Sequence, residues 1–126
     1  MRFLSDEWFA AADRIAQAGP RAGPSAPPTV IEYRVDRGNG EVCVYQLVLG
    51  GDQNRVTAGS TRDPDAVLAL SYATAAGISS GELQAYEAIR RGLVKVSGRA
   101  NALVACQSDL RQLNDSLRTL AAGTEY

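Results

Sequence analysis

Histidine is absent from this sequence of 126 residues, and its absence excludes several kinds of catalytic site at once. Without an imidazole there is no Ser-His-Asp or Cys-His arrangement, and the usual general base at neutral pH is missing. Only two cysteines occur, Cys43 and Cys106, and they are far apart with no Cys-x-x-Cys spacing. A zinc site needs about three or four ligand side chains, and two distant cysteines without a histidine do not provide them. The sequence therefore predicts no metal site and two buried free thiols, since cysteine is among the most buried residue types.

A strong net charge and long apolar runs are missing too. Thirteen basic residues nearly balance fourteen acidic ones, and both signs are mixed along the chain, so no nucleic-acid surface is expected. No apolar run approaches the roughly 20 residues that span a bilayer, and residues 1–19 lack the layout of a signal peptide. Neither GxGxxG nor GxxxxGK[ST] occurs, so no cofactor is predicted. We therefore expect a cytoplasmic protein without an integral membrane segment.

The length predicts one domain over residues 1–126. A chain of this size buries enough surface to fold without a disulfide or a metal. Residues 19–29, GPRAGPSAPPT, hold four of the five prolines, so we interpret them as an internal linker and not as a domain boundary.

The first half of the chain predicts one helix and then a three-stranded meander. Ser5 can cap a helix that ends near residues 18–20. Strands are expected over 30–35, over 41–51 and over 54–59, because alternating or continuous apolar runs are separated by Gly-Asn-Gly and Gly-Gly-Asp-Gln turns. The first strand has two unlike faces, with Ile31, Tyr33 and Val35 on one and Glu32, Arg34 and Asp36 on the other.

The second half predicts two more strands and three helices. Residues 67–72 suit either a strand or the start of a helix; the polar lead-in with Pro64 favours a short strand ending near Ser71. A helix of small residues over 73–78 and a further helix over 82–91 should follow. The sequence LVKVSG then predicts a strand with Val94 and Val96 on the same face.

A long helix of about 20 residues is predicted from Asn101 onward. Its apolar positions recur at spacings of three and four: Leu103, Cys106, Leu110, Leu113, Leu117 and Leu120. Such a stripe suits either packing on the domain's own sheet or a short coiled-coil seam. We favour the first, and we expect a monomer or a weak homodimer. The helices would then cover the apolar face that all the strands share, and a helix of small residues could leave a cavity there or could pack tightly.

The segment 63–113 resembles the sterol carrier protein 2 family of lipid-binding domains. Its acidic lead-in, apolar strand and small-residue helix occur in DPDAVLALSYATAAG, and the next helix and strand occur in GELQAYEAIRRGLVKVSG. In that second stretch, residues 88–92 read Ala-Ile-Arg-Arg-Gly, similar to the Ala-Phe-x-x-Gly element of the family. The strand that follows, Leu-Val-Lys-Val-Ser-Gly over 93–98, is similar to the family's Lys-Leu-Lys-Val-x-Gly.

The resemblance implies an α+β fold with a five-stranded, mainly antiparallel sheet covered by helices, and a lipid tunnel between the two layers. The face of its strand or helix on which each residue lies, taken together with the family pattern, predicts eleven ligand-binding residues. They are Leu68, Leu70, Ala76, Ile78, Tyr86, Ile89, Val94, Val96, Leu103, Cys106 and Leu110. The sequence ends in Thr-Glu-Tyr and not in the peroxisomal Ser-Lys-Leu, which is expected of a free-standing bacterial member.

Three functional hypotheses follow. The leading one is non-enzymatic binding or transfer of an apolar ligand, such as a fatty acyl chain, a sterol or a polyketide-like molecule. The alternative is a cyclase or isomerase that folds a hydrophobic biosynthetic intermediate in the same pocket, since orientation alone can catalyse such steps without a histidine. The third is a packed interaction domain that has no cavity and dimerises through the C-terminal stripe.

Overall fold

A five-stranded sheet forms one layer of the computed structural model, which describes residues 1–19, 28–50 and 53–126. Its strands are β1 Thr29–Asp36, β2 Val42–Leu49, β3 Arg55–Ala58, β4 Ala66–Ser71 and β5 Val94–Gly98. They lie in the order β3-β2-β1-β4-β5, and only β1 and β4 are parallel neighbours. The predicted α+β class and mainly antiparallel sheet are confirmed. Most of the predicted linker over 19–29 lies outside the described residues.

Five α-helices and a short 3₁₀ segment form the second layer. They are α1 Asp6–Ala18, α2 Tyr72–Ser80, α3 Ala85–Arg90, α4 Ala100–Ala105, α5 Gln107–Leu117 and the 3₁₀ segment Arg118–Gly123. As predicted, the hydroxyl of Ser5 caps α1 by accepting a hydrogen bond from the backbone N–H of Trp8 at 3.2 Å. Ser71 caps α2 in the same way through the N–H of Thr74. No helix within the described ranges is long and apolar enough to cross a bilayer.

The prediction of one continuous C-terminal helix is wrong. The chain leaves the helical conformation at Cys106, where φ is −101° and ψ is 12°, and α5 begins at the next residue. On α5, Leu110, Leu113 and Leu117 are buried in the core, whereas Leu103 of α4 is only partly buried. The stripe therefore packs on the domain's own core.

The inner face of the sheet is built from rows of residues that lie opposite one another. Tyr33 of β1 pairs with Tyr45 of β2 and with Leu68 of β4, and Leu68 pairs in turn with Val96 of β5. The next row places Val94 beside Leu70. Since strand side chains alternate, both valines of β5 are on the inner face, as the sequence predicted.

The core is aromatic at the end of the sheet that α1 covers. The ring of Trp8 meets those of Phe3 and Phe9 edge to face, with centroids 5.1 and 5.4 Å away. Tyr33 and Tyr45 stack on the sheet with centroids 4.9 Å apart. Such pairs add specific geometry to the burial of large apolar rings. The end of the fold that holds α1 therefore contains the aromatic part of the core.

A cluster of buried polar side chains fixes the connection from β3 to β4 on the outer face of the sheet. The amide of Gln46 donates hydrogen bonds to Glu32 at 3.0 Å and to the carbonyl of Arg62 at 2.8 Å, and its oxygen accepts one from the N–H of Arg62 at 3.2 Å. Thr61 and Ser60 of the same connection donate to Gln46 and to Glu32. The connection thus crosses over β2 and β1 and lets β4 join β1 in parallel.

Glu32 is almost fully buried, a position that the alternating pattern of its strand does not indicate. Burial alone would raise the pKa of its carboxyl group, but hydrogen bonds from Ser60, Gln46 and Arg34 favour the ionised form, and the net effect lowers the pKa. The carboxylate is therefore a permanent acceptor at neutral pH, and its contribution to folding is lost only as the pH falls through the lowered pKa.

We predict that Gln46→Ala destabilises the protein by about 1–3 kcal/mol, because it leaves the backbone carbonyl and N–H of Arg62 without their partner and removes one of the hydrogen bonds to Glu32. Chemical denaturation monitored by circular dichroism measures this loss. Gln112→Ala is the matched control: Gln112 is exposed on α5 and makes no side-chain hydrogen bond within the described ranges. Equal stability of the two variants would contradict the assigned role of Gln46.

The two cysteines differ in their environment. Cys106 is 4% exposed, and its thiol donates a weak hydrogen bond to the carbonyl of Leu103 at 3.5 Å. Burial raises the pKa of this thiol, and the nearby carboxylate of Asp109 raises it further. Cys43 is only partly buried, near the start of β2, so the prediction of two buried thiols is correct for Cys106 alone.

We predict that a thiol reagent labels Cys43 of the native protein much faster than Cys106, because the thiolate of Cys106 is disfavoured and shielded. Mass spectrometry of proteolytic fragments after a short exposure measures both sites separately. In denaturant the two rates should converge. Labelling of Cys106 at the denatured rate under native conditions would refute the prediction.

Candidate functional site

A large cavity lies between α2, α3, α4, α5 and β5, on the side of the helical layer opposite α1. Its volume is about 590 Å³, within the range of roughly 300–1,000 Å³ that small-molecule sites usually have. It opens to solvent beside Tyr86 and Val104, which are 58% and 68% exposed. Large apolar side chains thus surround an open mouth.

The interior of the cavity is mainly apolar. Its larger apolar side chains come from five elements and from the α2–α3 connection: Ile78, Leu83, Tyr86, Ile89, Val96, Leu103, Val104 and Leu110. Ile89 of α3 and Leu103 of α4 are only partly buried, as is Val96 of β5. Because these side chains remain partly exposed, they form an apolar surface on which an apolar ligand can pack.

Two glycines set the path of the chain around this cavity. Gly81 ends α2 with φ at +86°, and its missing Cβ leaves room for the side chain of Arg118, which would lie 2.9 Å away. Gly98 ends β5 with φ at +81°, and a Cβ there would be 3.0 Å from the carbonyl oxygen of Asp65. In both places glycine provides a left-handed conformation and a close approach. The chain can therefore turn sharply into α3 and α4, which form two walls.

One edge of the cavity is polar, and α5 supplies it. Gln107, Arg111, Asn114, Asp115 and Arg118 line the cavity at spacings of three or four residues, which places them along one face of the helical segment. Arg118 pairs with Asp115 at 3.4 Å. Arg111 is exposed and forms no ion pair within the described parts of the chain. A guanidinium group is thus available beside the apolar interior.

The structure brings together six of the eleven residues predicted to bind ligand, and it places five elsewhere. The lining includes Ile78, Tyr86, Ile89, Val96, Leu103 and Leu110. Outside it are Leu68, Leu70, Ala76, Val94 and Cys106. The assignment of ligand contacts to any of the eleven residues remains a prediction.

Packing explains why those five residues are not in the lining. Leu68, Leu70 and Val94 are on the inner face of the sheet as predicted, but helices α2 and α4 pack on β4 and α3 packs on β5, and each of the three residues is at most 6% exposed. Cys106 is buried beneath the break between α4 and α5. Ala76 is partly buried against the core. The cavity therefore lies at the α3–β5–α4 end, where the small-residue helix α2 contributes Ile78 and not Ala76.

Several lining residues were missed by the sequence analysis. Leu83 precedes α3 in a connection, where neither helical nor strand periodicity applies. The polar residues of α5 were not predicted because helical periodicity selects the apolar stripe beside them. Their own spacing of three and four, from Gln107 to Arg118, was a usable signal. No group of three or more potential metal ligands occurs within the described ranges.

Neither a protein-family model nor a curated protein matches this chain. Solved structures do match. A conserved hypothetical protein of Thermus thermophilus, TT1886, named as a possible sterol carrier protein, is 21% identical with a TM-score of 0.74, over 96% of this chain and 91% of that one. A crystal structure of sterol carrier protein 2 is 18% identical with a TM-score of 0.72, over 93% and 98%.

A third match is a solution structure of palmitated sterol carrier protein 2-like 2 from Aedes aegypti. It is 20% identical with a TM-score of 0.59, over 87% of this chain and 94% of that one. Matches of this extent at such low identity reflect a shared arrangement of the sheet and helices. The chain has the fold of the sterol carrier protein 2 domains.

Proposed function

We propose that this protein binds and carries an amphiphilic lipid with a single acyl chain. The observation that supports the proposal is one cavity of about 590 Å³ that joins an apolar interior to a polar edge. An acyl chain would lie against β5, α3 and α4, and a charged or polar head group would meet α5. No step of chemistry on the ligand is required.

The apolar interior can supply most of the affinity. Burial of roughly 300 Å² of acyl-chain surface at about 25 cal/mol per Å² provides about 7 kcal/mol before the costs of association and ordering. Because Val96, Ile89 and Leu103 are only partly buried by the protein itself, a bound chain would also bury their surface. Binding that rests on apolar contact discriminates between ligands by the length and shape of their apolar part more than by their chemical groups.

The polar edge favours an acidic head group. Arg111 is beside the cavity without an ion-pair partner within the described ranges, whereas Arg118 already pairs with Asp115. A guanidinium group can receive a carboxylate through two parallel hydrogen bonds. A fatty acid therefore fits this cavity better than a neutral sterol does. The palmitated state of the Aedes aegypti protein, which shares the fold, supports the same ligand class.

The cyclase or isomerase alternative has less support. Among the residues that line the cavity there is one carboxylate, Asp115, and it is paired with Arg118 and exposed. General acid–base chemistry works best with a group whose pKa is tuned by burial. The tyrosine of the lining, Tyr86, is itself more than half exposed. Carriage is therefore the better supported function.

We predict that Val96→Phe abolishes the uptake of a fluorescent fatty acid while the melting temperature stays close to that of the parent. The added ring would occupy ligand space, whereas in a filled core it would overpack and cost about 1–3 kcal/mol. Val96 is a better probe than Ala76, which is outside the lining. Titration by fluorescence and thermal unfolding measure the two effects.

Val42→Phe is the matched control, because Val42 is also a strand valine but is exposed and distant from the lining. It should leave binding unchanged. A sharp fall in the melting temperature of Val96→Phe, together with no binding by the parent, would favour a packed domain. Retained binding in a stable Val96→Phe variant would place the ligand elsewhere.

We predict that Arg111→Gln weakens the binding of a fatty acid by up to about fivefold and leaves its methyl ester unaffected. The pair would be largely exposed, so it should contribute no more than about 1 kcal/mol, and the difference should shrink at high salt. Isothermal titration with both ligands measures it. Arg14→Gln, on the exposed side of α1, is the control. An equal loss for acid and ester would show that Arg111 contributes through packing and not through charge.

A further inference from the structure

A second, much smaller cavity lies deeper in the fold, between the inner face of the sheet, α1, α2 and α5. Its volume is about 20 Å³, which is enough for about one water molecule or one small functional group. Trp8 and Tyr33 line it. Both residues belong to the aromatic part of the core, where they are 2% and 3% exposed.

Two hydrogen-bond donors on the residues that line this small cavity are unpaired. The indole nitrogen of Trp8 and the hydroxyl of Tyr33 are buried without a hydrogen-bond partner among the described residues. Leaving a buried donor unpaired is unfavourable, so native proteins usually provide a partner. Burial raises the pKa of Tyr33, and the nearby Cys106 raises it further, so the phenol remains protonated and can donate. Both groups therefore suit an acceptor oxygen.

The small cavity adjoins the large one. Ile78 and Asn114 line both, so these two side chains form the wall between them. The side chain of Asn114 makes no hydrogen bond within the described ranges, so no hydrogen bond has to break when it rotates. A ligand that enters between α3 and α4 would thus have one partly polar, movable barrier between its far end and the two donors.

We propose that the small cavity is an inner subsite for an oxygen atom at the far end of the ligand, held by Tyr33 and Trp8. The proposal rests on the proposed function and sharpens it. The favoured ligand is an acyl chain with a carboxylate at the mouth and a hydroxyl or keto oxygen near its other end. Such an oxygen has two lone pairs and can accept from both donors, whereas a terminal methyl group would leave both unpaired.

Competition binding tests the proposal on the full chain. A series of saturated fatty acids from decanoic to octadecanoic, and the ω-hydroxy derivative of each, compete with a fluorescent fatty acid. At the length that reaches the subsite, the hydroxy acid should bind about tenfold more tightly than the plain acid. In Tyr33→Phe that preference should fall below about threefold while the plain acid binds as before. Thr57→Val removes a buried unpaired hydroxyl that lines neither cavity, and it should leave the preference intact.

A second measurement does not depend on any variant. Trp8 is the only tryptophan, so its indole N–H gives a single nitrogen–proton NMR cross-peak. The ω-hydroxy acid should move the indole proton downfield, and the plain acid of the same length should not. The absence of a preference at every length, or a preference that persists in Tyr33→Phe, would overturn the subsite and leave the proposed function standing.

Two further outcomes are decisive. A magnetisation transfer from bound water to the indole proton that persists in ligand-saturated protein would identify the occupant as water alone and would overturn the subsite. Failure of both series of acids to bind would contradict the proposed function and the subsite together.

Discussion

The side-chain amide of Gln46 holds the connection from β3 to β4 against the outer face of the sheet, and the rest of the architecture depends on that crossing. Through Gln46 and Glu32, the connection passes over β2 and β1 and delivers β4 to the free edge of β1. Only then can β5 add to β4 and extend the inner face under α3 and α4. A buried amide and carboxylate thus determine where the apolar floor of the cavity lies, although they are on the opposite face of the sheet from it.

The need to cross the sheet with the β3–β4 connection explains why this cluster of polar side chains is tolerated in the interior. The crossing segment is irregular, and its backbone groups need partners when it covers the sheet. Gln46 provides both a donor and an acceptor to Arg62, and Glu32 accepts from Ser60. An apolar residue at position 46 would leave the backbone of Arg62 unpaired, and one at position 32 would remove the acceptor of the Ser60 hydroxyl and the Gln46 amide. The cluster is therefore better understood as a means of fixing topology than as a source of net stability.

The sequence was sufficient to predict the order of elements, because each one carries a local signal. Alternation marks β1, the hydroxyl of Ser5 marks the start of α1, and two glycines mark the limits of the segment that contains β5. Contacts between distant segments were not predictable in this way. The apolar residues of the stripe keep their helical spacing across the break at Cys106. Periodicity alone therefore does not reveal that the helix is interrupted there. Likewise, Glu32 alternates like an exposed residue and is buried only because the β3–β4 connection covers it.

The candidate site was predicted in part for the same reason. The alternation of side chains along a strand selects the inner face of the sheet correctly, and it identified Val96 as a residue of the cavity. It cannot show how closely the helices cover each part of that face, so Leu68 and Val94 were predicted as well, although both are fully covered by the protein itself. Whether a cavity exists depends on how far the α3 and α4 walls are held from β5. That distance is set by the glycine turns and by the helix break, neither of which changes the apolar pattern.

Stability and ligand capacity are divided between the two ends of the molecule. At the α1 end, Trp8, Tyr33 and the leucines of α5 belong to one buried core that encloses the small cavity. At the α3–α4 end, short helices and partly buried side chains enclose space that the protein does not fill. Because neighbouring residues couple strongly and distant ones do not, substitutions within the large cavity can change binding with little effect on folding. The proposed subsite lies where the two ends meet, because Ile78 and Asn114 line both cavities and the residues that carry its two donors belong to the core.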